Sequence, residues 1–451
     1  MYDLIIIGSG PAGYVSAIRA GQLGLKTAIV EKNVIGGMCL NWGCIPSKAI
    51  MESAKFYQRV SKDAARFGIE GIDKKALSFN WSKAVKRSDG IVKKLTTGVG
   101  FLLKKNGIDV IEGEAKILTS SAVSVNNRTI EAKNIMIATG SKSPAIDNNI
   151  EGLVLEPKEL FKDRELPLNI VVTGETPVAI ELAQAFKLMG KKVTLLVSGN
   201  AVLPFADKFI VDQILAKLKK DRIKVAYNKP VTSTKNVWAD GRLTIDGEVF
   251  DCDVIVNAIR RKAILPDSDM NISTDENGYI AVDKNMQTNI EGVFAVGDVN
   301  GLSYYAHIGS AEGMHVVNFI KGIKQKFDLK KYPMNMYTVP EAAQIGLTEN
   351  EIKAEGYDYK ISEFPMSANG KALTEGNLEG SVRILSDKKY GEVLGVQIVA
   401  PNATDMIAEA AAYMEMEATV YDVAQTVHAH PTVSEVFMEA GFEAVDRAIH
   451  K

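Results

Sequence analysis

A strand, a glycine turn, an apolar-periodic helix and a second strand follow one another twice in this chain, and that repeated unit restricts the fold more than any other feature. At the N-terminus YDLIIIG (2–8) is a strongly apolar strand pattern. SGPAGYVSAIRAGQLG then carries small and apolar residues at helical spacing, and KTAIVEK reads as a second strand. From residue 169 the order returns as NIVVTG, ETPVAIELAQAFKLMG and KKVTLLVSGN. Strands joined by a crossover helix pair in parallel, which a tight hairpin cannot achieve. A repeat at so long a period predicts two related domains and not a solenoid.

The rest of the chain is read around these two units. Residues 106–139 carry short strands ending in NIMIATG, 222–259 predict a short β-meander closing on CDVIVNAI, and TNIEGVFAVGD (288–298) returns to parallel-strand character. KGIKQKFDLKKYP (321–333) reads as a solvated surface linker. The remaining residues mix strands (SVRILSD, EVLGVQIV) with an alanine-rich helix at 403–416, as in a separate α+β domain. With 451 residues the chain is too long for one core. The fold class is therefore α/β, with two Rossmann-like nucleotide-binding domains and a C-terminal α+β domain. The expected segments are 1–145, 146–264, 265–335 and 336–451.

A formal charge of −2 argues against a nucleic-acid partner and a basic membrane-binding face. No apolar run reaches the roughly 18 residues of a spanning helix, and MYDLIIIGSG enters a strand without a charged leader. The expectation is a cytoplasmic protein without membrane insertion. Three cysteines, Cys39, Cys44 and Cys252, are too few for a disulfide scaffold. Cys252 reads as a small buried apolar residue.

In Gly8-Ser9-Gly10-Pro11-Ala12-Gly13 the first glycine permits a tight turn, the second lets backbone approach a pyrophosphate, and the third lets the helix pack closely on the strand. Glu31 ends the next strand, where a carboxylate binds a ribose diol. These residues predict a dinucleotide site. Cys39 and Cys44 lie five apart in GMCLNWGCIPSK, around a helix start. They can meet as a disulfide or remain packed thiols, and a helix N-terminus favours the thiolate of either. A metal pair fits less well, because no second Cys or His cluster completes a tetrahedral set.

CLNWGCIPSK, GSGPAG, Ala-Thr-Gly at 138–140 and TNIEGVFAVGD together resemble the flavin-dependent pyridine nucleotide–disulfide oxidoreductases over essentially the whole chain, and within them the dihydrolipoamide dehydrogenases. The resemblance implies an FAD held by Gly8, Gly10, Gly13, Glu31, Gly37, Cys39, Lys48, Ala115, Thr139, Gly140, Ser141, Asp298 and Ala306. It makes Cys39 the thiol that meets substrate and Cys44 the thiol beside the flavin. Lys48 becomes the lysine beside the flavin, with Glu181 its carboxylate partner. HAHPTVSE (428–435) resembles the family's C-terminal segment, so His430 becomes the acid/base and Glu435 the group that fixes its tautomer. His428 receives no chemistry. In the family the histidine faces the partner subunit's disulfide, which implies a homodimer acting on a lipoyl-bearing protein or free dihydrolipoamide. No metal is implied.

The second glycine loop departs from the family pattern. Gly174 is kept, but Thr176 and Ala179 stand at the second and third glycine positions, and Glu175 adds a negative charge. Val197 occupies the place of the ribose-binding acid, and Arg260-Arg261 replaces the usual Gly-Arg. Losing such polar contacts costs about 1–3 kcal/mol each. Three readings stay open here: NAD bound in altered geometry with Arg260 or Arg261 supplying phosphate charge, weak or lost NAD binding with another electron acceptor, or NADP preference. A flavoprotein kept as a redox sensor or interaction partner is the alternative to an enzyme. The retention of Cys39, Cys44, His430 and Glu435 favours the enzyme.

Overall fold

In the computed structural model, residues 1–146, 150–232 and 236–451 are described. The chain forms two compact units, one made of Met1–Pro167 with Val256–Phe327, the other of Leu168–Ile255 with Asp328–Lys451.

The first unit is organised around strand Tyr2–Ile7, which pairs in parallel with Thr27–Glu31 on one side and Arg128–Ile137 on the other. Asp109–Glu112 extends the sheet beyond Thr27–Glu31, and Val293–Ala295 pairs in parallel with Arg128–Ile137. Ala115–Thr119, Ala122–Val125 and Arg128–Ile137 form an antiparallel run continuing from the same sheet. Alternation assigns Leu4 and Ile6 to one face, where they pack with Ala17, Leu103 and Val317. Ile5 and Ile7 face the other side, against Ile117, Val123 and Val293. A sheet buried on both faces explains the unbroken apolar run in the sequence.

Helix Pro11–Gln22 begins two residues later than the apolar pattern suggests, because Pro11 occupies the first helical position, where its missing N–H costs nothing. The lysine-rich segment is only in part the solvated linker expected from its composition. Phe327 lays its ring 5.0 Å from that of His315, since an aromatic side chain gains more by burial than its lysine neighbours do.

In the second unit, Asn169–Thr173, Lys192–Leu196 and Lys224–Ala226 pair in parallel. The meander is Val237–Ala239, Arg242–Ile245 and Glu248–Asp251, with residues 233–235 of the expected stretch outside the described ones. Val254–Asn257, which runs across the division after Ile255, joins the parallel sheet beside Asn169–Thr173 and not the meander, because its four side chains are all buried and need cover on both faces. The C-terminal portion is an antiparallel sheet ordered Met334–Met336, Glu341–Gly346, Val393–Ala400, Ser381–Asp387 and Tyr359–Pro365. Its core joins Ile345, Val382 and Ile398 to Ile407 of helix Ala403–Glu415 and Phe437 of helix Glu435–Val445. Cys252 is buried, and burial pushes its thiol up to about 12, as befits a packed apolar residue. Among the described residues, no helix is long and apolar enough to cross a membrane.

Candidate active site

The first glycine loop is shaped by backbone contact. Gly8 has φ +105°, and a Cβ there would collide with the Ala138 carbonyl. A Cβ on Gly13 would meet the Gly8 carbonyl, and one on Gly37 would meet Gly10. A Cβ on Gly10 would meet nothing within 4 Å, so the loop presents open space at that point. Gly10 is also the N-cap of helix Pro11–Gln22, whose first turn has no side-chain cap. Glu31 supports the loop from the next strand: its Oε2 accepts from the Ser9 N–H (2.9 Å) and hydroxyl (2.7 Å), while Oε1 accepts from the Asn33 N–H (2.8 Å).

Cys39 lies in the short helix Gly37–Asn41, and Cys44 opens helix Cys44–Gln58. The two are joined in a disulfide, with Cα atoms 4.7 Å apart. Asn41 fixes the first helix by donating to the Ile35 and Gly37 carbonyls at 3.0 and 2.9 Å. Cys44 stands at the positive end of its helix dipole, which stabilises a thiolate when the bond opens. Half-buried Lys48 follows one turn later on the same helix.

A third cluster gathers residues far apart in sequence. Ser141 donates its hydroxyl to Asp298 and accepts from Arg261 Nε at 2.8 Å, while Arg261 also donates to the Ser141 carbonyl. Thr139 donates to the Ile264 carbonyl at 2.6 Å, and Ile264 N–H donates to the Gly140 carbonyl. Burial raises the Asp298 pKa, against the opposing pull of the Ser141 hydroxyl and the Arg261 charge. Ala306 begins helix Ala306–Ile320, whose fully buried Glu312 accepts from Gly297 N–H (2.6 Å) and Asn300 Nδ2 (2.9 Å). Burial lifts Glu312 to about 7. Ala115 is buried at the start of its strand.

In the other unit His430 is 78 % exposed, and its Nδ1 lies 2.8 Å from Glu435 Oε1. Glu435 Oε2 accepts from the Thr432 N–H. Partial burial works against the Glu435 charge, but the Thr432 N–H, His430 and His428 hold its pKa below the usual carboxylate value. His428 forms a second such pair: Nε2 meets Glu409 Oε1 at 2.6 Å and Nδ1 meets the Thr426 carbonyl at 2.9 Å.

The same unit contains the second glycine loop. Gly174 has φ +134°, Val197 is fully buried, and Glu181 accepts from the Tyr337 N–H at 2.8 Å. Arg260 belongs to the first unit, where its guanidinium lies 5.4 Å over the Tyr304 ring.

Residues 2–321 match the family profile described as pyridine nucleotide–disulphide oxidoreductase, and residues 332–441 match the dimerisation domain of the same family. The chain belongs to the pyridine nucleotide–disulphide oxidoreductases. It is 38 % identical over its whole length to the dihydrolipoyl dehydrogenase of Bacillus subtilis, covering 99 % of that protein. It is 37 % identical over 99 % of its length to the dihydrolipoyl dehydrogenase of Cupriavidus necator, covering 98 % of that protein. The fold matches LpdA of Mycobacterium tuberculosis with a TM-score of 0.88, at 22 % identity and 97 % and 98 % coverage of the two chains.

As a member of this family the protein is a flavin-dependent disulfide oxidoreductase, and its own geometry suits FAD. The opening at Gly10, the uncapped helix behind it and the carboxylate of Glu31 form a cradle for a pyrophosphate and its ribose. Sequence reasoning missed Arg261 as the partner of Ser141, Glu312 as the clamp on the turn carrying Asp298, and Glu409 as the partner of His428. Glu312 lies in the AHIGSAEG stretch, and its standing as the one acidic residue of helix Ala306–Ile320 was the available signal.

Proposed function

We propose that the protein is a homodimeric dihydrolipoyl dehydrogenase that oxidises the dithiol of a lipoyl-bearing protein or of free dihydrolipoamide in the cytoplasm. The observation that carries this reading is the Cys39–Cys44 disulfide at the start of a helix, in the same unit as the open glycine cradle. FAD, when bound, would supply a two-electron acceptor for the reduced cysteine pair. Gly8, Gly10, Gly13, Glu31, Gly37, Lys48, Ala115, residues 139–141, Asp298 and Ala306 would hold it. The domain division 1–145, 146–264, 265–335 and 336–451 belongs to the same reading.

His430 takes the proton of one substrate thiol at Nε2, since Nδ1 is engaged by Glu435. The resulting thiolate attacks Cys39 of the partner subunit, forming a mixed disulfide and expelling Cys44 as a thiolate. The second substrate thiol then attacks its own sulfur of the mixed disulfide, its proton passing to the leaving Cys39 sulfur, which closes the lipoyl ring and releases Cys39 as a thiol. Two electrons have moved from substrate to the cysteine pair, and the helix N-terminus stabilises the Cys44 thiolate.

The test is anaerobic addition of dihydrolipoamide to the purified FAD-loaded protein without nucleotide. The flavin spectrum should change within the turnover time, and C39S and C44S variants should abolish the change. An unchanged spectrum in the unsubstituted protein would reject the reading.

A further inference from the structure

The two glycine loops differ at positions that bear on the nucleotide the second domain accepts, given the disulfide chemistry proposed above. Each loop enters a helix of twelve residues with proline at its first position, Pro11 in one and Pro177 in the other. Each keeps a first glycine at positive φ. The resemblance ends at the two residues between.

Gly10 leaves its helix uncapped and its loop open. Thr176, the corresponding N-cap, turns its own hydroxyl onto the Ala179 N–H at 3.3 Å. One of the donors that a phosphate would use is thus already satisfied within the chain. Ser9 in the first loop is neutral and gives both its N–H and its hydroxyl to Glu31. The corresponding residue in the second loop is Glu175, and the strand-end position equivalent to Glu31 is the buried Val197.

The acid has therefore moved from the end of the strand into the loop itself. Its Oε2 is buried without a hydrogen-bond partner, and so is the hydroxyl of Thr173 just before the turn. The Glu175 carbonyl is tied down by the Leu203 N–H at 2.8 Å. A carboxylate beside a helix N-terminus uses the same positive dipole end that attracts a pyrophosphate.

We propose that Glu175 and Thr176 are specificity-determining residues that close the second glycine loop against a dinucleotide pyrophosphate, so that this protein binds NAD and NADP weakly. The carboxylate repels the pyrophosphate, and the threonine occupies both its space and one of its donors. With Val197 in place of an acid, the adenosine ribose finds no compensating contact at the strand end.

The experiment is calorimetric titration of the FAD-loaded protein with ADP-ribose, which carries the pyrophosphate but no hydride chemistry, and with adenosine. The protein is compared with E175Q and with E175S/T176G, the latter reproducing the composition of the first loop. Glycine is itself an accepted N-cap residue, so the helix start tolerates it, and thermal unfolding checks each variant. The expected result is ADP-ribose affinity raised about tenfold or more in the double variant and by a smaller factor in E175Q, with adenosine unchanged. Tight binding by the unsubstituted protein, or no gain in either variant, would overturn the proposal. Because the readout is binding, failure of the dithiol test described above leaves this result interpretable and counts against the disulfide chemistry alone.

Discussion

His430 Nδ1 and Glu435 Oε1 stand 2.8 Å apart, on either side of the short segment from Pro431 to Ser434. The glutamate is held in turn by the Thr432 N–H, so the ring is oriented by backbone as well as by charge. Replacing His430 by Gln should slow dithiol reduction of the cysteine pair by about 10²–10⁴-fold in stopped flow. E435Q keeps an acceptor for Nδ1 and should retain more of the rate than E435A. Equal loss in the two glutamate variants would mean that Glu435 does not act through orientation.

Glu435 also gives a pH signature. Its folded-state pKa lies below the ordinary 4.5, so its contribution to stability is present above that value and disappears as pH falls through the lowered one. The stability difference between the protein and E435Q should be level near neutrality and shrink in acid. Denaturant unfolding at a series of pH values measures it.

The pair formed by His428 and Glu409 predicts the opposite trend. The hydrogen bond to Glu409 raises the His428 pKa above 6.5 despite its partial burial. The contribution is complete below that value and is lost as pH rises through the raised one. E409Q should lower stability by about 1 kcal/mol at about pH 6, a figure already reduced for solvent screening, and by less at about pH 9. A gap of constant size across that interval would show that the histidine is not charged in the folded protein.

Glu312 is buried in helix Ala306–Ile320, and burial raises it to about 7 from 4.5. Its stabilising effect is therefore full below 4.5 and lost as pH rises through about 7. E312Q can still accept from Gly297 N–H without acquiring charge. It should flatten the fall in stability over that interval, which for the unsubstituted protein amounts to about 3 kcal/mol. If the slope survives the substitution, another group causes it.

Arg261 makes two hydrogen bonds to Ser141, which also holds Asp298. A lysine keeps the charge but not the planar fork. R261K should weaken FAD retention by about tenfold or more, read as the flavin-to-protein ratio after gel filtration and as a fluorescence titration of the flavin-free protein. Retention equal to that of the unsubstituted protein would separate Arg261 from the flavin site.

Much of this arrangement was legible because it is local. Tyr2–Ile7 and Asn169–Thr173 declare themselves as buried strands by short apolar runs ending at glycine, and Cys39 and Cys44 are close enough in sequence to pair around one helix start. What the sequence withheld is tertiary. Arg261 reaches Ser141 across 120 positions, and Ser141 reaches Asp298 across 157. No periodicity connects residues at such separations. Val254–Asn257 was readable as a strand, but its place beside Asn169–Thr173 depends on which neighbouring surface offers cover on both faces. The unequal glycine loops show the same limit: Thr176 was visible as a departure, but its hydrogen bond to Ala179 was not.

Strand Val293–Ala295 completes the sheet that began with residue 2, lying in parallel beside Arg128–Ile137. A growing polypeptide emerging from the ribosome therefore exposes Ile135 and Ile137 on an unfinished edge until the chain has been extended past residue 295. Contacts of such sequence separation form slowly, because the intervening loop must close before they repay its entropy. The first unit is thus finished only after residues 168–255 of the other unit have been made, because its last parallel strand is encoded beyond them.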